Sequence, residues 1–299
     1  KTAYPLQWLT VILPSTLHLN LMLIAHLMIG GWGMWRWGRT LGLGTGAASA
    51  ATLAYMLAPR MVAHAGAGHL DLTYALAWFP WLMWRAHLWC DSPFSFKKLL
   101  LTGAVAALML LADVRLSLFS LPIAASYGLW RCMVTRQQRR IAAALSLIPI
   151  GLLLTLPLLL PLMLWQPYLS RAALSGQEAG VFSLEVGHLV GLLLPPPAND
   201  VESLTFVGLS VLGLAAVALL AQPRRLWGWA VLCAGMTLYA LGSHTPAWQI
   251  LAEVIAPLRW FRVPARAWLV IALVMPLLAG YGLQTLIDMT AQRRSGHRA

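Results

Sequence analysis

A chain of 299 residues that is 60% hydrophobic and only 10% charged cannot cover a water-soluble surface, where roughly a quarter of residues are charged. Its formal charge of +12 arrives as short basic clusters between apolar runs, with no basic stripe along one face. That pattern signals membrane topology and excludes nucleic acid as a partner. The three cysteines, Cys90, Cys132 and Cys233, make no CxxC pair or zinc-like spacing, so neither a disulfide nor a thiol metal site is expected.

The apolar runs are rich in Leu and Ala and lack the short alternation of an outer-membrane barrel. They predict an all-α fold: a polytopic transmembrane helical bundle forming one domain over 1–299, with about nine spans and an N-terminal interfacial helix. A span needs about 20 mostly apolar residues, so the run from Tyr4 to Pro14 is too short to cross and reads as interfacial. Spans are predicted at 17–37, 43–59, 69–88, 98–112, 116–131, 141–164, 204–221, 226–242 and 267–287. The fourth is short and is expected either to tilt or to break at Asp113. Outer loops are predicted at 165–203, which holds Pro195-Pro196-Pro197, and at 243–266, which is rich in Trp, Pro and Arg.

Charge tests this alternation, because cytoplasmic loops collect Lys and Arg. One side gathers fourteen basic residues, among them Arg36, Arg85, Lys97 and Lys98, against Asp91 and Asp288 alone. The other side holds seven basic and seven acidic residues. The expected location is therefore a bacterial-type cytoplasmic (inner) membrane, with this chain's N-terminus outside and its C-terminus cytoplasmic. An outside start without a signal peptide leads to the expectation that an earlier span precedes Lys1.

Ionisable groups near membrane depth are costly and are functional candidates by default. On the balanced side the first cluster is Arg60, His64, His69 and Asp71, around the turn-forming Gly66 and Gly68. Asp71 either satisfies amides at a helix start or acts as a carboxylate in a cavity. His64, His69 and Asp71 have no specific metal spacing, so a divalent metal is conceivable but not indicated. The second cluster is Asp113-Val114-Arg115, either a self-compensating turn or the polar floor of a cavity. The third is the loop carrying Glu178, Glu185, His188, Asp200 and Glu202, most of whose acids only solvate it. The fourth joins His244 to Arg259-Trp260-Phe261-Arg262-Val263-Pro264-Ala265-Arg266. Three arginines within eight residues on an outer loop run against the topology rule, and an anionic ligand is the reason favoured here. The tryptophans at 32, 35 and 37 and at 78, 81, 84 and 89 read as interface belt and packing residues.

The order of motifs resembles the YfhO-like membrane proteins of the GT-C superfamily, integral-membrane glycosyltransferases that use polyprenyl-phosphate-linked sugars. The matching pieces are Tyr4-Pro5-Leu6-Gln7-Trp8, the Gly-rich stretch from His26 to Arg39, Ala58-Pro59 to His69, Ala77-Trp78-Phe79-Pro80, Ala112-Asp113, and Phe261-Arg262-Val263-Pro264-Ala265-Arg266 ahead of Ala279-Gly280. The resemblance implies an out-facing site with a carboxylate to deprotonate an acceptor hydroxyl and cations to hold the donor phosphate. On this chain those roles fall to Asp71 and Asp113 as catalytic residues, and to His64, His69, Arg115, His244, Arg262 and Arg266 as substrate-binding residues. The chain departs from the family in two ways. The family's key acid lies in a first outer loop that would precede Lys1, and Asp113-Val114-Arg115 replaces the usual turn. The alternative function is a non-catalytic subunit or scaffold of a larger membrane complex. Expected partners are membrane lipids, a polyprenyl-phosphate-linked sugar and, in the alternative, other membrane subunits.

Overall fold

The computed structural model describes residues 3–91, 95–136, 141–168, 174–195, 200–254 and 262–296, and every regular element among them is helical. A 3-10 segment, Pro5–Val11, precedes α1 (Ser15–Thr40), α2 (Thr45–Met56), α3 (Pro59–Gly66), α4 (Leu70–Asp91), α5 (Phe96–Ala112), α6 (Val114–Val134) and α7 (Ile141–Leu154). There follow α8 (Leu156–Trp165), the short α9 (Gly176–Ala179), α10 (Leu209–Ala221), α11 (Pro223–Leu241), α12 (Pro246–Val254) and α13 (Trp268–Gly296).

Among the described residues three helical stretches are long and apolar enough to cross a bilayer: Ser15–Thr40, Pro223–His244 and Pro264–Arg294. That is fewer than the nine spans predicted. For four of the six missing windows the reason is continuity, whereas α4 and α6 run unbroken for 22 and 21 residues and fall short on apolarity. The apolar windows at 43–59 and 204–221 contain helices of only 12 and 13 residues, and 98–112 one of 17, where about 20 are needed. The window at 141–164 is broken into α7 and α8, bent by 74° at Thr155. Pro157 has no amide to bond Leu153, and the Thr155 hydroxyl donates to the Gly151 and Leu152 carbonyls instead of leaving them to the helix ladder. The break at Asp113, one of the two expectations for 98–112, is present between α5 and α6.

The chain is organised as two compact units, 1–37 with 68–172, and 38–67 with 173–299. In the first unit, α4 is buried along most of its length and packs against α5, α6 and α7. The 3-10 segment is tied down by Tyr4, which is 2% exposed. The Tyr4 hydroxyl accepts from the Trp78 indole at 2.8 Å and donates to His26 Nε2 at 2.6 Å. His26 Nδ1 donates to the Met22 carbonyl at 2.6 Å, which sets the tautomer that makes Nε2 the acceptor. A buried aromatic network with every polar atom used thus anchors the N-terminal segment to α1 and α4.

In the second unit α13 is the central helix. Every residue from Ala267 to Gly282 is buried, the pattern of a helix apolar all round. It packs against α2 and α10, where small residues allow close approach. A Cβ on Gly282 would meet the Leu214 carbonyl oxygen at 1.9 Å, so only glycine lets these two backbones touch. On the facing helix, Ala47, Ala48 and Ala51 give α2 a fully buried small-residue face. Gln284 reaches back to accept from the Gly44 amide at 2.8 Å and satisfies the start of α2.

Candidate functional site

The densest charged cluster lies in the second unit and centres on Glu202. Pro59 opens α3 with its fixed backbone angle and no amide to satisfy, which places Arg60 in the first turn and His64 one turn later on the same face. Both are buried, at 1% and 0% exposed. The loop after Asp200 brings in Glu202, 7% exposed, whose amide is held by Asp200 Oδ1 at 2.9 Å. The 3-10 turn Pro264–Ala267, just ahead of α13, supplies Arg266.

The Arg60 guanidinium works as a backbone clamp. Nη1 donates to the Leu204 carbonyl at 2.6 Å, and Nη2 to the carbonyls of Glu202 at 2.9 Å and Ala265 at 2.8 Å. Burial pulls this guanidinium down to about 10, while Glu202 and then Asp200 oppose the shift. Arg266 donates through Nε and Nη2 to Glu202 Oε1, at 2.8 and 2.6 Å. The other carboxylate oxygen, Oε2, is buried without a hydrogen bond among the described residues. It faces Arg60 Nη2 at 3.6 Å and His64 Nε2 at 3.8 Å. Two arginines stand against Glu202 and Asp200, so the cluster is charge-balanced before His64 is counted. His64 and Glu202 are metal-ligand types, but guanidinia on both sides of the carboxylate oppose a divalent cation.

Arg60 also borders a shallow apolar cleft lined by Pro59, Phe206, Trp268, Met275 and Pro276. Its cavity volume is only about 10 Å³, room for about one water molecule. The cluster and the cleft together place guanidinium groups beside an apolar slot.

Of the substrate-binding residues expected from sequence, His64 and Arg266 converge on Glu202. Arg262 is exposed nearby in sequence and helps hold the Glu178 carboxyl below its ordinary range, after the larger effect of the Ser175 amide and hydroxyl that bond it. His244 ends an exposed 3-10 turn, Gly242–His244. The motif residues Arg259, Trp260 and Phe261 lie outside the described residues.

His69, Asp71, Asp113 and Arg115 belong to the first unit. The His69 carbonyl accepts the Thr73 amide and hydroxyl at the start of α4, and Asp71 lies in the first turn of that helix. Asp113 is 5% exposed and caps α6: Oδ1 accepts the Leu116 amide at 3.0 Å and Oδ2 accepts Arg115 Nη2 at 2.5 Å. The Arg115 side chain is half exposed, so the pair matches the self-compensating turn more closely than a cavity floor.

Arg60 and Glu202 were missing from the predicted binding set. Each was visible as an ionisable residue on the balanced side, but 142 positions separate them and nothing in either local pattern points to the other. No protein family, curated protein or solved structure matches this chain.

Proposed function

We propose that this protein is a GT-C-like membrane glycosyltransferase that takes its sugar from a polyprenyl-phosphate donor on the non-cytoplasmic face. The observation that carries the reading is the pair of guanidinium groups, Arg60 and Arg266, gathered around Glu202 beside an apolar cleft that Arg60 shares. A lipid-linked sugar has the same two-part chemistry, an anionic phosphate on an isoprenoid chain. In this reading Arg262 and Arg266 bind the phosphate, since guanidinium forks match phosphate oxygens. Asp71, partly exposed, is a better general base than Asp113, which is committed to its helix cap. The nine-span bundle belongs to the same proposal, with the shorter and bent helices completing the crossings.

The test is equilibrium binding of a synthetic polyprenyl-phosphate-linked sugar to the purified chain, before and after Arg262→Ala. Arg262 is exposed, so its loss leaves the fold intact. A charge-assisted contact contributes roughly 1.5–3 kcal/mol, so affinity should fall about tenfold or more. Unchanged binding overturns the phosphate role.

A scaffold function is the second reading, and one observation favours it. Glu202 and Asp113 are each spent on structural contacts, Glu202 between two guanidinia and Asp113 as a helix cap. Purification in a stoichiometric complex that lacks transfer activity would decide for it.

A further inference from the structure

A second set of basic residues lies in the first unit, at the end where α1 and α4 finish and α5 begins. Arg85, near the end of α4, is 8% exposed. Among the described residues its one hydrogen bond runs from Nη2 to the Lys98 carbonyl at 3.1 Å, and its Nε is buried with no hydrogen-bond partner. Among the described residues no carboxylate comes within ion-pair distance of it. Asp91, six residues on, is occupied by Arg131 and His87. A guanidinium carries five N–H donors, and burying even one of them unmet is costly.

The surroundings add charge and aromatic surface. The Arg85 guanidinium carbon lies 5.8 Å from the centre of the Trp84 ring, and that of Arg36, from α1, lies 5.3 Å from the same ring. Arg36 is also 5.9 Å from Trp32, which is 58% exposed. Lys97 and Lys98 stand in the first turn of α5, whose cap residue Ser95 makes no side-chain capping bond. Two guanidinium groups therefore stand over one indole, and Arg85 ties them to the lysine-bearing start of α5 through the Lys98 carbonyl. Topology alone explains basic residues that are exposed and hydrated. It does not explain Arg85, whose Nε is buried with no hydrogen-bond partner among the described residues.

We infer that Arg36, Arg85 and the start of α5 form a binding site for the phosphodiester headgroup of an anionic phospholipid. The ligand chemistry follows from the cluster. Guanidinium forks fit phosphate oxygens, tryptophans settle at headgroup depth, and pockets of basic residues between membrane helices hold acidic headgroups. A lipid brings both the anion for Arg85 and acyl chains for the exposed Trp32 face. The inference needs only the membrane setting and does not depend on the glycosyltransferase reading.

Native mass spectrometry of the purified full chain, titrated with phosphatidylglycerol or phosphatidylcholine, tests it. Phosphatidylglycerol should be retained at stoichiometric level and phosphatidylcholine should not. Arg36→Gln, at an exposed position that spares the fold, should weaken retention about fivefold, the equivalent of roughly 1 kcal/mol per basic residue at a membrane surface. Arg85→Met should weaken it by at least as much. Arg224→Gln, a control on the exposed start of α11 in the other unit, should leave it unchanged. Equal retention of the two lipids, or an equal loss from Arg224→Gln, overturns the site. Displacement of the lipid by millimolar inorganic phosphate would assign the cluster to a free anion and overturn the lipid.

Discussion

Replacing Glu202 with alanine deletes the carboxylate shared by two guanidinia, and its cost can be worked from their surroundings. Arg60 is 1% exposed and cannot recover hydration, but it keeps the carbonyls of Leu204, residue 202 and Ala265. The Arg266 side chain is 18% exposed and regains part of its water. Breaking a buried pair from one side costs roughly 3–5 kcal/mol, and these two compensations put Glu202→Ala near the lower end, about 3 kcal/mol. For a unit of this size that corresponds to a fall of roughly 6–12 °C in melting midpoint. Glu202→Gln keeps an acceptor for Arg266 but removes the charge, and should cost about half as much. Thermal unfolding in detergent, followed by tryptophan fluorescence, gives the readout. A cycle combining Glu202→Gln with Arg266→Gln should show coupling above about 0.5 kcal/mol. A Glu202→Ala protein that melts within about 1 °C of the parent would refute the clamp, because that is under the shift expected for even 1 kcal/mol.

Other outcomes follow from single contacts. Gly282→Ala should separate α10 from α13, since its Cβ would lie 1.9 Å from the Leu214 carbonyl oxygen; destabilisation of about 3 kcal/mol or more is expected, and a melting curve matching the parent would contradict it. Tyr4→Phe leaves the Trp78 indole and His26 Nε2 without their shared hydroxyl, at a cost of about 1–3 kcal/mol; hydrogen exchange over 5–11 should speed up, and unchanged protection would show that the aromatic network does not anchor this segment. Glu178 should titrate below its ordinary value of 4.5, because the Ser175 amide and hydroxyl bond its ionised form. Its contribution to the 175–180 turn is therefore present above that ordinary value and lost as pH falls through the lower folded value. In a carboxyl-carbon NMR titration, Ser175→Ala should move the midpoint back up, and an unmoved midpoint would remove Ser175 as the cause.

Much of the architecture was legible because apolar runs and breakers are local properties. Helices α1, α4, α6, α11 and α13 cover the windows predicted for them, and Asp113 marks the junction of α5 and α6, one of the two outcomes expected there. The 141–164 window failed as one straight span because apolarity does not report continuity, although Pro157 inside it was the available sign. The aromatic anchoring of the 3-10 segment escaped notice because Tyr4, His26 and Trp78 each look ordinary alone.

The sequence by itself determined that this is an apolar helical protein suited to a membrane, with its excess charge gathered into short basic clusters. Composition and spacing are enough for that, because the solvent a segment needs is decided segment by segment. Only the tertiary structure decided what individual charges do. It turned Asp113 into a helix cap, joined Arg60, His64 and Arg266 around Glu202, and left the Arg85 Nε buried without a partner among the described residues. Those outcomes depend on groups brought together across up to 142 positions by packing, and no local pattern encodes which partner a buried charge will find.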